Sequence, residues 1–158
     1  EEKKEVTLLL VTEKGMCLNA DMSDIPVQGR IAGGVKAIQL NDGDAVLAAM
    51  QVSEDGEVVL ITDKSNAKRV PVGGIEPMAR YRKGFKIFDL KANTGSKIIF
   101  ASYVTNPYTI VLDVDDEYLS QFDTEDLPVQ NRTTTGKPLV RGCNGLEKVY
   151  VYKTEADE

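Results

Sequence analysis

Self-similarity at a spacing of about fifty residues constrains this chain more than any other feature. Displaced by 50 positions, Val11-Thr12 falls on Ile61-Thr62, Ile25 on Ile75, Arg30 on Arg80, Gly34 on Gly84 and Leu40 on Leu90. Displaced by 102, Val6–Leu10 falls on Tyr108–Leu112, Pro26-Val27-Gln28 on Pro128-Val129-Gln130, Arg30 on Arg132, Gly34 on Gly136 and Gly43 on Gly145. One register that carries matches across three segments defines three repeats, near 6–55, 56–107 and 108–154. They form one continuous unit over 1–158, with an acidic tail at 155–158. A repeat of this size cannot bury a hydrophobic face alone, so neighbouring repeats must stack.

Within each repeat the pattern is that of β-structure. Val6–Thr12, Val58–Thr62 and Tyr108–Leu112 are rich in β-formers, and each ends at turn-forming residues such as Glu13-Lys14-Gly15 or Asp63-Lys64-Ser65-Asn66. Asn41-Asp42-Gly43 and Glu54-Asp55-Gly56 carry the chemistry of tight hairpin turns. No stretch of ten residues sustains a capped apolar stripe of helical period. A second strand such as Lys68–Val72 follows the first. A Pro-containing loop closing on Arg then leads through Gly to a third strand such as Gly84–Phe88, and to a fourth such as Lys97–Ala101. Four short strands per fifty residues make a propeller blade. The expected fold is all-β, a partial or open β-propeller or β-pinwheel of about three blades.

Composition removes several chemistries. With no His, there is no imidazole base for a triad. Cys17 and Cys143 build neither a disulfide scaffold nor a metal knuckle, and read as reduced thiols of a cytoplasmic protein. No apolar run approaches the ~20 residues that cross a bilayer, so no membrane association is expected. A net charge of −6 argues against a surface basic all round. Divided by repeat, however, the charge is −4, +5 and −3, with both tails acidic. The positive charge is therefore concentrated in the second repeat, where a local patch can bind phosphates on an acidic molecule.

The runs Leu8–Gly15, Gln28-Gly29-Arg30, Gly33-Gly34-Val35 and Leu40–Asp44, with Val59–Thr62, Arg69–Val72 and Ile75–Arg80, resemble blades of a known domain. It is the C-terminal β-pinwheel of bacterial type IIA topoisomerase A subunits, found in DNA gyrase and topoisomerase IV. The resemblance covers nearly the whole chain and is strongest in the first two repeats. It implies blades that swap a strand with a neighbour, and a DNA-binding, DNA-bending role without sequence reading. It also implies partners: double-stranded DNA, the remainder of the A subunit with the catalytic core, and the ATPase subunit. No catalytic residue, cofactor or metal is expected in the chain itself. Where the gyrase basic box reads Gln-Arg-Arg-Gly-Gly-Lys-Gly, Gln28–Gly34 keeps the glycines but a single charge, which argues against tight wrapping. Family members usually have five or six blades. Three blades would leave strand edges exposed, which a second copy in a homodimer can cover.

The candidate DNA contacts are Lys64, Lys68, Arg69, Arg80, Arg82, Lys83 and Lys86, joined by Arg30 and Arg132 at the same blade position as Arg80. In Arg80-Tyr81-Arg82-Lys83-Gly84 two guanidinium groups can grip phosphates bidentately, and Gly84 permits close backbone approach. Tyr81 follows Arg but lacks the helical context and clustered acids of strand cleavage, so it is read as non-catalytic. Asp113–Glu117 opens like a calcium loop but lacks its later Gly and Glu. Gly33-Gly34 and Gly73-Gly74 are not phosphate loops, and the Asn131-Arg132-Thr133 sequon is inert in a cytoplasmic chain. The tail at 155–158 can compete with DNA for the basic repeat. The alternative from another class is a protein-interaction or structural propeller segment, facing a partner with its acidic repeats.

Overall fold

The computed structural model describes residues 6–21, 38–78, 84–114, 118–140, 143, 145–146 and 148–152. Arg30, the Gln28–Gly34 box, the segment from Arg80 to Lys83, positions 115–117 of the calcium-like run and the tail at 155–158 lie outside the described residues. Twelve strands and two short 3-10 turns form the described part, and no α-helix occurs in it. The strands are β1 (Thr7–Thr12), β2 (Met16–Asp21), β3 (Val46–Val52), β4 (Glu57–Thr62), β5 (Asn66–Pro71) and β6 (Pro77–Met78). They continue as β7 (Phe85–Lys86), β8 (Ile98–Val104), β9 (Thr109–Val114), β10 (Tyr118–Asp123), β11 (Lys137–Pro138) and β12 (Lys148–Tyr152). The all-β expectation holds.

Three sheets result. The first runs β3-β1-β2-β6 with β7 also on β2, the second β11-β5-β4-β8, and the third β10-β9-β12. In the first two, the opening hairpin turns in the same way. The buried hydroxyl of Thr12 accepts from the Met16 N–H at 3.0 Å, and that of Thr62 accepts from the Asn66 N–H at 3.2 Å. A threonine side chain thus takes over a backbone partner where the ladder ends. The match of Thr12 with Thr62 in the sequence has this origin.

The sheets stack face to face. Leu9, Val11 and Cys17 of the first meet Val58, Leu60, Val70 and Ile98 of the second, with Ile87 and Phe88 of the segment after β7 in the same cluster. The opposite face of the second sheet, through Val59, Ile61 and Ala67, meets Ile110, Leu112 and Val114 of the third. Alternate residues of β4 therefore serve two cores, which explains why Val58-Val59-Leu60-Ile61 is apolar without interruption.

Two local readings are revised. Glu54-Asp55-Gly56 joins β3 to β4, which belong to different sheets, so it is a crossover and not a hairpin. Gly56 is needed there for space, because a Cβ would collide with the Tyr103 ring lying over it. The strand expected over Gly84–Phe88 does not pair inside the second sheet. Only Phe85-Lys86 is extended, and it pairs antiparallel with Cys17 and Met16 of the first sheet. The segment before it pairs there too, Pro77-Met78 lying parallel to Asn19-Ala20. The third repeat does the same one sheet later: Lys137-Pro138 pairs antiparallel with Ala67-Asn66, and Val129 bridges Arg69 in parallel. Each of the first two sheets thus contains strands given by the following repeat.

The glycines of the repeat make this exchange sterically feasible. Gly84 has φ +76, and a Cβ on it would collide with the Cys17 carbonyl; Gly136 has φ +71, with the Ala67 carbonyl 2.9 Å from where a Cβ would sit. Cys17 and Ala67 stand 50 residues apart in the sequence, so both glycines touch the same point of successive hairpins. Gly136→Ala should therefore lower the unfolding free energy by about 2–4 kcal/mol. Gly43→Ala, with φ +79 but open space around it, should cost only about 1 kcal/mol. Urea titration of the two variants against the parent chain measures the difference.

Candidate nucleic-acid interface

The loop of the third repeat that delivers β11 lies across the second repeat, where Lys68, Arg69 and the Lys86 backbone meet it. The Arg69 N–H donates to the Pro128 carbonyl at 2.8 Å, and the Gln130 N–H donates to the Arg69 carbonyl at 2.9 Å. Beyond that point residues 130–134 turn on their own side chains. Asn131 Oδ1 accepts from the Thr133 N–H and hydroxyl, both at 3.0 Å, and Gln130 Oε1 accepts from the Thr134 hydroxyl at 2.6 Å and the Gly136 N–H at 3.1 Å. An open groove of about 580 Å³ runs beside the loop, lined by Val70, Pro71 and Gly74 on one side and residues 129–133 on the other.

Arg132 leaves this turn with its guanidinium over the Phe85 ring, 4.6 Å from the centroid, and its Nη1 donates to the Lys86 carbonyl at 3.2 Å. The Lys86 ammonium stands 3.5 Å from Asp89 Oδ1, and that of Lys91 stands 3.4 Å from Asp89 Oδ2. Partial desolvation works to raise the Asp89 carboxyl, but Lys91 and Lys86 outweigh it and hold the group below its ordinary range. Two lysines thus share one carboxylate, and Arg132 of the next repeat reaches the backbone of one of them, so that three cations stand against a single acid. Both lysine side chains are more than half exposed. Exposed ion pairs of this kind add little stability, so their heads are free to exchange partners.

Of the candidates named from sequence, the structure brings Lys86 and Arg132 together at this surface. Lys91, absent from that set, joins them because Asp89 holds it. Its charge was visible in the sequence, but the partner that places it was not. Lys64 sits apart at the β4–β5 turn, where its ammonium donates to the Ala92 carbonyl.

Two of the expected contacts are corrected. Arg69 spends its guanidinium internally, with Nε on the Leu127 carbonyl at 3.0 Å, Nη1 on Glu57 Oε1 at 3.1 Å and Nη2 on the Glu125 carbonyl at 3.3 Å. It clamps the third repeat to the second. Lys68 is fully buried, and its ammonium donates to the carbonyls of Asn131, Arg132 and Thr134. Neither can reach a phosphate without abandoning these partners. An alternating run such as Lys68-Arg69-Val70-Pro71 does not reveal them.

With this geometry in place, comparison with known proteins identifies the chain's family. The model of the DNA gyrase C-terminal domain, a β-propeller, matches residues 7–53, 56–105 and 117–148. The chain belongs to that family. Among members of the DNA gyrase C-terminal β-propeller family, the A subunit of DNA gyrase from Thermotoga maritima is 31% identical over 141 residues, covering 87% of this chain and 17% of that protein. The A subunit of DNA topoisomerase 4 from Staphylococcus aureus is 28% identical over 120 residues, covering 73% of the chain and 15% of the relative. The chain therefore spans about a sixth of the length of the curated relatives it matches. Among solved structures, the C-terminal domain of DNA topoisomerase IV superposes with a TM-score of 0.81 at 25% identity, over 92% of this chain and 46% of that one. The DNA gyrase A C-terminal domain superposes with a TM-score of 0.74 at 22% identity, over 97% and 51%.

Beneath the surface cluster the Cys17 thiol is pushed up to about 12 by burial, against smaller opposing influences from Arg132, the Phe85 backbone and Lys68. A thiol so poor in thiolate is inert. Native protein at pH 8 should leave Cys17 unlabelled by Ellman's reagent over hours, whereas guanidine-unfolded chain should react within seconds. Prompt labelling of Cys17 in the native protein would contradict its packing.

Proposed function

We propose that the chain binds double-stranded DNA through its phosphates and bends it, as the C-terminal module of a type IIA topoisomerase A subunit. In this reading the three repeats, 6–55, 56–107 and 108–154, act as one non-catalytic unit. They present a duplex to a catalytic core carried by the remainder of the A subunit, which works with an ATPase subunit. The observation that carries the reading is the Arg132–Lys86–Lys91 cluster, a cationic surface assembled across two repeats. The charge of +5 confined to the second repeat supports it, as does membership of a family whose relatives are named DNA gyrase and DNA topoisomerase 4.

Arg80, Arg82 and Lys83 directly precede Gly84 and β7, so the chain that carries them leads into this cluster. They are the principal proposed phosphate contacts, with Lys86 and Arg132 of the described cluster, Lys64 at a separate place on the β4–β5 turn, and Arg30 at the equivalent sequence position of the first repeat. Contacts to phosphates fix orientation without reading bases, and contacts spread over successive repeats would favour a curved duplex.

Each phosphate neutralised adds about 0.9 to the slope of log K against log salt. Replacing Arg80, Arg82 and Lys83 with Ala together should remove most of the affinity and lower that slope by about 2 to 3. A gel-shift titration across salt concentrations measures both quantities. Unchanged binding in the triple variant would remove those residues from the site. A parent chain that retains no DNA even at low salt would overturn the function.

A further inference from the structure

Lys68 is the one fully buried charged side chain among the described residues. Its register equivalents are Leu18 in the first repeat and Ser120 in the third, so the lysine belongs to the second repeat alone. On β5 it faces the first sheet beside Leu60 and Val70, and its ammonium lies 4.7 Å from the centroid of the Phe88 ring. Among the described residues no carboxylate forms an ion pair with it. Burying an unpaired ammonium costs several kcal/mol unless hydrogen bonds replace its water.

The replacement comes wholly from one loop. Lys68 Nζ donates to the carbonyls of Asn131 at 2.9 Å, Thr134 at 3.0 Å and Arg132 at 3.2 Å, with the Thr134 hydroxyl at 3.2 Å. Three ammonium protons meet three carbonyls of one turn, all pointing inward. The outward side of the same turn carries Arg132 onto Phe85 and the Lys86 carbonyl. The Thr134 carbonyl also accepts from the Asp89 N–H at 3.0 Å, tying the turn to the residue that holds Lys86 and Lys91.

We propose that Lys68 is a positioning residue for the surface cluster, its buried ammonium fixing the 131–134 turn from beneath so that Arg132 is presented beside Lys86 and Lys91. The claim about DNA rests on the function proposed above; the claim about the turn does not. Burial moves the Lys68 amine down to about 8, against smaller opposing influences from Asp89 and Cys17. The charged or titratable groups acting on it are Asp89 from the segment after β7 and Cys17 from β2, while Arg132 of the turn itself is directed outward onto Phe85. A neutral amine offers two protons to three carbonyls, so the turn slackens as the pH passes upward through that value. The sign for the whole fold is opposite. A lysine whose folded pKa lies below its unfolded one adds stability as pH rises between the two, so any loosening is local.

Lys68→Met keeps the hydrocarbon stem and removes the donors. Hydrogen exchange at Thr133, Gly136 and Asp89, normalised to intrinsic rates and to β4 amides, should quicken by about tenfold in this variant. Salt-dependent DNA binding run in parallel should lose the same factor as Arg132→Ala, and adding Lys68→Met to Arg132→Ala should lose nothing more. Unaltered exchange in Lys68→Met overturns the positioning role. Faster exchange with full DNA affinity, while Arg132→Ala weakens binding, overturns its link to the cluster. If neither parent nor variants bind DNA, the proposed function fails and the exchange result still decides the turn. Should Lys68→Met not fold, the parent chain between pH 7 and 9 decides. Turn amides losing protection relative to β4 support the role, and amides that track β4 overturn it.

Discussion

The fold depends on one close approach: the strand that the second and the third repeat each give away must cross the backbone of its host hairpin at a point where no Cβ fits. Gly84 meets the Cys17 carbonyl and Gly136 meets that of Ala67, both with left-handed backbone. The sheets could stack through Leu9, Val58, Ile61 and Leu112 without this contact. They would then slide, because packed apolar faces do not by themselves set register. The glycine crossing, with the parallel and antiparallel pairings on either side of it, fixes each repeat against the previous one. The cationic surface is a consequence, since β7 and the turn before β11 bring Lys86 and Arg132 together.

Electrostatics then divides the basic residues of the second repeat into two kinds. Arg69 and Lys68 are turned inward and satisfied by carbonyls of the third repeat, with Glu57 completing the arginine's shell. Lys86 and Lys91 remain at the surface around Asp89. Taking these two cations out of water carries a desolvation cost, which the carbonyls of the third repeat and Glu57 offset. The same hydrogen bonds hold the adjoining repeat in place. Charge that looks from sequence as though it serves a ligand is in part the fastening between repeats.

The strands and their stacking were largely legible, because β4 must be apolar on both faces and β9 repeats its pattern at the same interval. The repeat glycines were legible as a period, though not as a steric requirement, since the carbonyl they touch lies about 70 residues away in the chain. The two Asp-Gly turns looked alike in sequence. Asn41-Asp42-Gly43 needs its left-handed glycine, whereas Gly56 is small to admit the Tyr103 ring. The buried state of Lys68 was not legible. It is set by Phe88 and by three carbonyls more than 60 residues downstream, and a backbone carbonyl carries no signature in a sequence.

Strand exchange also means that the unit that repeats is out of phase with the unit that folds. A sequence repeat ends near Pro107, yet the second sheet is completed only by Lys137-Pro138. A chain severed at any repeat boundary would leave one sheet short of its edge strand and release another strand with nowhere to pair. Copying a whole repeat in frame carries donor and acceptor together, so arrays can grow or shrink by duplication while single repeats cannot be harvested as independent parts. Lineages with different numbers of blades are therefore an outcome the backbone itself permits.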